Sequence, residues 1–346
     1  MAPTRIVPFA LALAAVACTK EPPTAAEAPK PAEAPKPAEA PPAPKPEPAA
    51  EVEHAPFVLA RAEARCRYKL QDVLTVTLGG QLAAGHEASV TYALDVKPEE
   101  GGLAYTATVE HVALKGKRED YSAKVDSENA GDMVRVLGGA DTLLMFDGVL
   151  YFALLHRPVT FHVGPAGHLL KVDGAEAVRE ALLKLHPPKP RKDPHQQAKI
   201  AVALSDDGLA RRLLPFAALA PAQDSLQPQV TEPAEGRTDF AEYPTKHMIG
   251  ARIRWLQDKL LLEEKRVFTP SDVEPRYPAH KGFPKETLLG AKDETTVAVS
   301  PTDPCFTDAA YQFMVGRTWT GVLEDKEITT EQERSGAWIH TRLKAE

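Results

Sequence analysis

From Cys66 onward the chain alternates apolar and polar positions with the period of two that a half-buried strand requires. The segments "YKLQDVLTVTL" (68–78), "EASVTYALDV" (87–96) and "LAYTATVEHVAL" (103–114) follow this pattern, with breaks at "LGGQLAAGHE" and "KPEEGG". Tyr92, Leu94 and Val96, then Tyr105, Ala107 and Val109, define an apolar face, and Thr, Asp and Glu occupy the opposite one. "GVLYFALLHRPVTFHV" (148–163) is rich in aromatic and β-branched residues and is expected to be a further strand. Sequential strands with short breaks predict a meander.

The period then lengthens. In "GAEAVREALLKLH" (174–186) Val178, Leu182 and Leu185 share one face at helical spacing, and the two prolines after His186 end the helix. "SDDGLARRLLPFAALAP" (205–221) begins with Ser205 as N-cap and Asp206 and Asp207 in the first turn, and directs Leu209, Leu213 and Phe216 inward. Pro221 to Tyr243 reads as loop. "GARIRWLQDKLLLEEKRVF" (250–268) fits a hairpin better than a helix, because Ile253 and Trp255 alternate with Arg252 and Arg254. "ETTVAVSP", "RTWTGVLEDKEIT" and "GAWIHTRLKA" are strands, the last setting Trp338 and His340 against Ile339 and Leu343. Strands, then helices, then strands predict an α+β fold: a curved antiparallel sheet, a meander or half-barrel, covered by two or more helices.

The first fifty residues have another character. Arg5 precedes the short apolar run Ile6 to Ala17, which is the layout of an export signal and too short for a membrane span. Ala15-Val16-Ala17-Cys18 resembles the bacterial lipobox, with Ala15 where leucine is usual. That resemblance implies cleavage after residue 17 and acylation of the Cys18 sulfur, which would tether the chain to a membrane. Neither Thr19 nor Lys20 is the aspartate that retains similar lipoproteins at the inner membrane, so the outer membrane is the expected destination. Residues 18–50 are dominated by Ala, Pro, Lys and Glu, and APKPAE occurs twice. Such a segment lacks the apolar bulk to fold and favours polyproline II, about 3.1 Å per residue. The expected organisation is therefore a signal at 1–17, an acylated Cys18 with its linker to 50, and a β-rich domain at 51–346 with a helical segment at about 174–219.

Charge narrows the partners. The chain has 41 basic and 48 acidic side chains, a net charge of −7, and loss of Arg5 with the signal makes it one more negative. That balance, with no basic run interleaved with aromatics, excludes nucleic acid. The expected partners are the membrane through the N-terminal lipid, and a lipid or apolar ligand, or else an envelope protein or peptidoglycan. With Cys18 assigned to lipid, Cys66 and Cys305 remain as a pair in a compartment that permits disulfides. Bridging them would close a loop of about 240 residues and restrict the unfolded chain by roughly 5 kcal/mol on the entropic model.

Two further motifs extend the lipoprotein resemblance. "FHVGPAGHLLKVDGAEAVREAL" is similar to a family of bacterial envelope lipoproteins that share a strand, a glycine turn, a second strand with a V-x-G ending and a helix. "SDDGLARRLLPFAALAP" and "FMVGRTWTG" resemble that family's helix with its L-P ending and its V-G-D-T-W strand, with Arg317 in place of the aspartate. The stretch from Gly236 to Cys305 then stands as an insertion or a separate subdomain. At fold level the chain is also similar to half-barrel lipoproteins that carry lipids. Neither resemblance supplies a catalytic residue.

The search for chemistry assigns no catalytic residue, cofactor or metal ligand. No G-x-S-x-G elbow, Walker loop, G-x-G-x-x-G or C-x-x-C is present. "HEASV" has Val90 where a zincin helix needs its second histidine. His162 and His168 flank the "VGPAG" turn, but two ligands are too few for a structural zinc. "HPPKPRKDPH" (186–195) reads as a solvated connection, and Asp206 and Asp207 are explained by the helix N-terminus. The expectation is a non-enzymatic protein that holds an apolar or amphipathic ligand between sheet and helices, with a structural or interaction module as the alternative.

Overall fold

The computed structural model describes residues 58–118, 121–137, 146–185, 200–219, 232–238, 241–256, 259–268, 271–273, 285–323 and 326–344. Cys18, the signal and the linker lie outside the described residues, as do 186–195. His54 to Glu346 form one compact unit.

The fold is α+β, built on one curved, unclosed antiparallel sheet. Strands β1 (Ala64–Leu78), β2 (Gln81–Glu99) and β3 (Gly102–Arg118) form a meander, and β4 (Tyr121–Asp126) pairs with the far end of β3. Helices α1 (Ala130–Leu137) and α2 (Phe146–Leu154) follow, then β5 (Val159–Val163), β6 (Leu169–Asp173) and α3 (Ala175–Leu185). Helices α4 (Asp206–Leu213) and α5 (Pro215–Leu219) lead to the second group of strands. These are β7 (Glu232–Thr238), β8 (Ala241–Leu256), β9 (Lys259–Phe268), β10 (Ser271–Val273), β11 (Lys285–Ser300), β12 (Asp303–Leu323) and β13 (Lys326–Arg342). The order across the sheet is β6-β5-β3-β2-β1-β13-β12-β11-β9-β8-β7, with β10 on β11. The last strand is therefore the seam between an N-terminal wing and a C-terminal wing. Strands from within 236–305 belong to this same sheet.

Local chemistry explains most elements. Gly79 and Gly80 both have positive φ and form the two-residue turn that joins β1 to β2, the geometry in which glycine is least strained. Only these two residues interrupt the strands; "QLAAGHE", expected in the break, already belongs to β2. The predicted apolar faces of β2 and β3 are buried, and Val178, Leu182, Leu209, Leu213 and Phe216 enter the core. Ser205 caps α4 by accepting from the Gly208 amide at 3.0 Å, and the hairpin expected at 250–268 is β8–β9.

Three expectations are corrected. "GVLYFALL" is the helix α2 and not a strand, and helices begin at Ala130, well before 174. Val149 to Leu154 are all buried, so this stretch of α2 has no wet side, and a run that is apolar all round carries no periodicity to separate helix from strand. Residues 232–238, expected as loop, pair with β8 as β7, while 221–231 lie outside the described residues.

A latch closes the seam. Strand β13 ends at Arg342, opposite Tyr68 of β1, and just beyond it Cys66 and Cys305 form a disulfide with Cα atoms 6.4 Å apart. Tyr68 Oη donates to the Phe306 carbonyl at 2.7 Å, and Tyr105 Oη to the Pro304 carbonyl at 2.8 Å. The Tyr68 ring stacks on Phe306 at 4.1 Å, and Tyr92 Oη meets His340 Nδ1 at 2.8 Å. Burial holds the three phenols protonated, with pKa values well above the usual range.

Two outcomes follow. Cys305→Ser lowers unfolding stability by about 2–5 kcal/mol, and reductant shifts the melting of the wild type but not of the variant. Burial pushes the His340 pKa down to about 3, whereas in the unfolded chain it is about 6.5. The unfolded state therefore takes up a proton that the folded state refuses. Stability from this residue is complete above pH 6.5 and falls by up to about 1.4 kcal/mol per unit as pH drops toward 3. A His340→Gln variant, followed by urea titration across that range, shows a shallower acid slope.

Candidate functional site

The concave face of the sheet changes character along the strands. Beside the disulfide it is apolar and aromatic, and one or two rows further on it carries charge. Aligned with Leu70 and Leu74 on the inner side of β1 is Asp72, which is 1% exposed. Its neighbours are Trp338 on β13 and Ala88 on β2, and His86 lies two residues further along β2 on the same side.

Helix α4 supplies the countercharges. Leu209, Arg212 and Leu213 fall at i, i+3 and i+4, so Arg212 stands on the buried stripe, and it is 2% exposed. Its guanidinium lies 3.7 Å from Asp72, 3.1 Å from Tyr151 Oη on α2, and 4.4 Å from the centre of the Trp338 ring. Tyr151 Oη donates to Asp72 at 2.7 Å. His86 Nε2 approaches Asp72 Oδ1 to 3.3 Å without forming a hydrogen bond to it.

Arg211, the adjacent residue, turns to the other wing. It pairs with Asp207 one turn back at 2.8 Å and with Glu264 of β9 at 3.2 Å. Beyond Glu264, Arg266 holds Asp293 of β11 through two bonds of 2.9 and 2.7 Å, and Tyr311 donates to the same carboxylate at 3.4 Å. Burial raises the Asp293 pKa above the ordinary carboxylate value, against the pull of Arg266. Tyr311 packs on Trp338 at 4.5 Å, which joins the two halves of the network.

Around this band the C-terminal wing is apolar. Leu260, Leu262 and Phe268 of β9, Val297 and Val299 of β11, and Val315 of β12 are all buried on the inner side. Helix α5 lies against β9, β11 and β12. The outer face is charged: Lys69, Glu87, Lys115, Lys265, Lys292 and Glu294 are exposed. A surface of that kind cannot face lipid hydrocarbon. Among the described residues no helix is long and apolar enough to cross a membrane.

The sequence-predicted positions divide as follows. Cys66 and Cys305 are joined. His162 and His168 are not brought together as ligands. His162 bridges Glu99 at 2.8 Å and Asp173 at 2.9 Å, and the bond to Glu99 chiefly raises its pKa. The His168 ring packs over Gly164, where a Cβ would collide with it. Asp206 and Asp207 open α4, as expected. The Asp72–Tyr151–Arg212 cluster was not foreseen, although the signal existed: an acid in the apolar row of β1 and an arginine in the apolar stripe of α4 each require a buried partner.

No family model matches the chain, and no curated protein matches it. Among solved structures, lipovitellin is 11% identical over 81% of this chain with a TM-score of 0.37, and the chain spans about a quarter of that protein's length (25%). Pseudomonas aeruginosa OccK2 is 8% identical over 83% of this chain and 100% of its own, with a TM-score of 0.14. An outer membrane channel from Pseudomonas putida F1 is 7% identical over 85% of this chain and 100% of its own, at 0.17. At these scores the likenesses carry no argument about fold or function.

Arg212→Met would leave the Asp72 carboxylate buried without its cation and should cost about 3–5 kcal/mol, measured by denaturant unfolding. The double variant Asp72→Asn/Arg212→Met recovers most of that loss, because neither charge is then stranded.

Proposed function

We propose that this chain is a lipid-anchored, non-enzymatic protein of the bacterial envelope that holds an apolar or amphipathic ligand against the concave face of its C-terminal wing. The observation that supports it is the set of apolar rows on the inner face of the C-terminal wing, which surround a buried ion pair. The N-terminal wing is filled by its own aromatic side chains and by α2, with Tyr68, Tyr92, Tyr105, Phe161 and Phe216 almost entirely buried. The inner faces of β9, β11 and β12 carry buried apolar rows on either side of the Arg266–Asp293 pair, and the described helical cover there is the five-residue α5 with the Arg211 end of α4. An acyl chain between α5 and this wing would meet Leu262, Phe268, Val297 and Val315, and its polar end the Arg266–Asp293 pair. The lipobox-like Cys18 and the proline-rich linker would place that wing near membranes yet clear of them.

An interaction module is the second reading, favoured by Val73, Val267, Met314 and Ile339, which are exposed on the outer face of β1, β9, β12 and β13. Solvent extraction and native mass spectrometry of the purified full-length protein separate the two. A ligand-binding protein yields about one equivalent of lipid, and Val297→Trp, which adds bulk to the inner face of β11, depletes it. An extract free of lipid, with one stable protein crosslink in cells, favours the second reading. Labelled palmitate enters the wild type and not Cys18→Ser if the anchor is as proposed.

A further inference from the structure

A second group of potential ligands lies on the opposite side of the sheet, at the outer rim of β3 and β4. Strand β3 carries a β-bulge there: Thr91 pairs with His111 and Tyr92 with Val109, which leaves Glu110 as the additional residue. Val109 and Val112 are both buried, so Glu110 and His111 in succession turn outward. Without the bulge, alternation would send the His111 ring into the core beside Val109. Arg65 and Arg67 hold Glu110, at 3.6 and 2.9 Å. His111 instead reaches Asp126 at the end of β4, with Nε2 2.9 Å from Oδ1.

The chain then turns back on itself. Asp126 Oδ1 also accepts from the Glu128 amide at 2.9 Å, and this tight turn brings the Glu128 side chain round to the same spot. One ligand atom each from His111, Asp126 and Glu128 lie within 4.8 Å of one another. The frame is well fixed. Ser127 and Val112 exchange bonds of 2.9 and 3.0 Å, and the Asp126 amide donates to Asp132 at 3.0 Å. The nearby Arg135 is engaged by Asp132 and the Lys124 carbonyl, and among the described residues no cation pairs with Glu128. A simple histidine–aspartate pair would account for His111 and Asp126 but leaves the second carboxylate beside them uncompensated.

We propose that His111, Asp126 and Glu128 form a solvent-open binding site for a divalent transition-metal cation of the zinc class. One imidazole nitrogen and two carboxylate oxygens suit such a cation, water supplies the fourth position, and the two carboxylates match its charge. Metal–ligand distances of about 2.0–2.2 Å set tetrahedral ligand atoms roughly 3.3 Å apart. The His111–Asp126 separation has to widen by only a few tenths of an ångström, and the exposed Glu128 side chain can swing in. A bound ion would tie the bulge of β3 to the chain entering α1.

Calorimetric titration of the full-length, chelator-treated protein with zinc chloride tests this, with magnesium as the oxygen-ligand control. The expected result is one equivalent of zinc bound, with magnesium inert. Both His111→Gln and Glu128→Gln should weaken zinc binding at least about tenfold. Glu128 is exposed, so its variant should keep the metal-free melting temperature, which separates lost ligation from lost folding. Cobalt substituted for zinc should give a visible tetrahedral spectrum in the wild type only. Absence of zinc binding overturns the proposal, and so does zinc binding that neither variant weakens.

Discussion

Strand β13 depends on being held between two strands that are distant in sequence, and the structure depends on β13. Its ladder to β1 on one side and β12 on the other joins the wings into one sheet. Where that ladder ends, the Cys66–Cys305 bridge and the Tyr68 and Tyr105 hydrogen bonds take over. Hydrogen-bonded pairing can only join adjacent strands. At this end β1 and β12 have lost the strand between them, and covalent and aromatic contacts fill the role. The phenols donate to main-chain carbonyls at Pro304 and Phe306, so those buried acceptors are satisfied as the disulfide forms.

The second constraint is electrostatic. Two consecutive arginines on α4 point to opposite wings, Arg212 to Asp72 and Arg211 to Glu264. Well-packed apolar side chains would hold such a helix at least as strongly, because desolvating charges costs several kcal/mol per ion. What the charged arrangement adds is position. A helix seated only on leucines can slide or rotate by one residue, whereas a one-residue shift here would carry one arginine into the other's place and leave the remaining carboxylate without its cation. The cation–π contact of Arg212 with Trp338 places this lock directly on the seam strand.

These two devices leave the faces of the sheet with separate duties. The outer face is wet and carries charged side chains beside a few exposed apolar ones, and it holds the bulge that turns His111 toward Asp126 and Glu128. On the inner face both wings carry buried apolar rows, and in the C-terminal wing these surround a buried ion pair.

Alternation in the sequence determined which side chains of β1, β2, β3 and β13 face inward, because strand geometry converts a period of two directly into two faces. Ser205 and the acids after it determined where α4 begins, since capping is settled within four residues. The pairing of Cys66 with Cys305 was legible as the pair expected once Cys18 is set aside. Helix α2 was not legible, because a segment buried on all sides has no polar phase to read. Nor could the sequence show that the final strand lies between β1 and β12, or that Asp72 meets Arg212 and His111 meets Asp126. Local pattern fixes the orientation of each residue relative to its own strand or helix. Which strands become neighbours is decided by long-range packing, and every partner of a buried charge is chosen at that later stage.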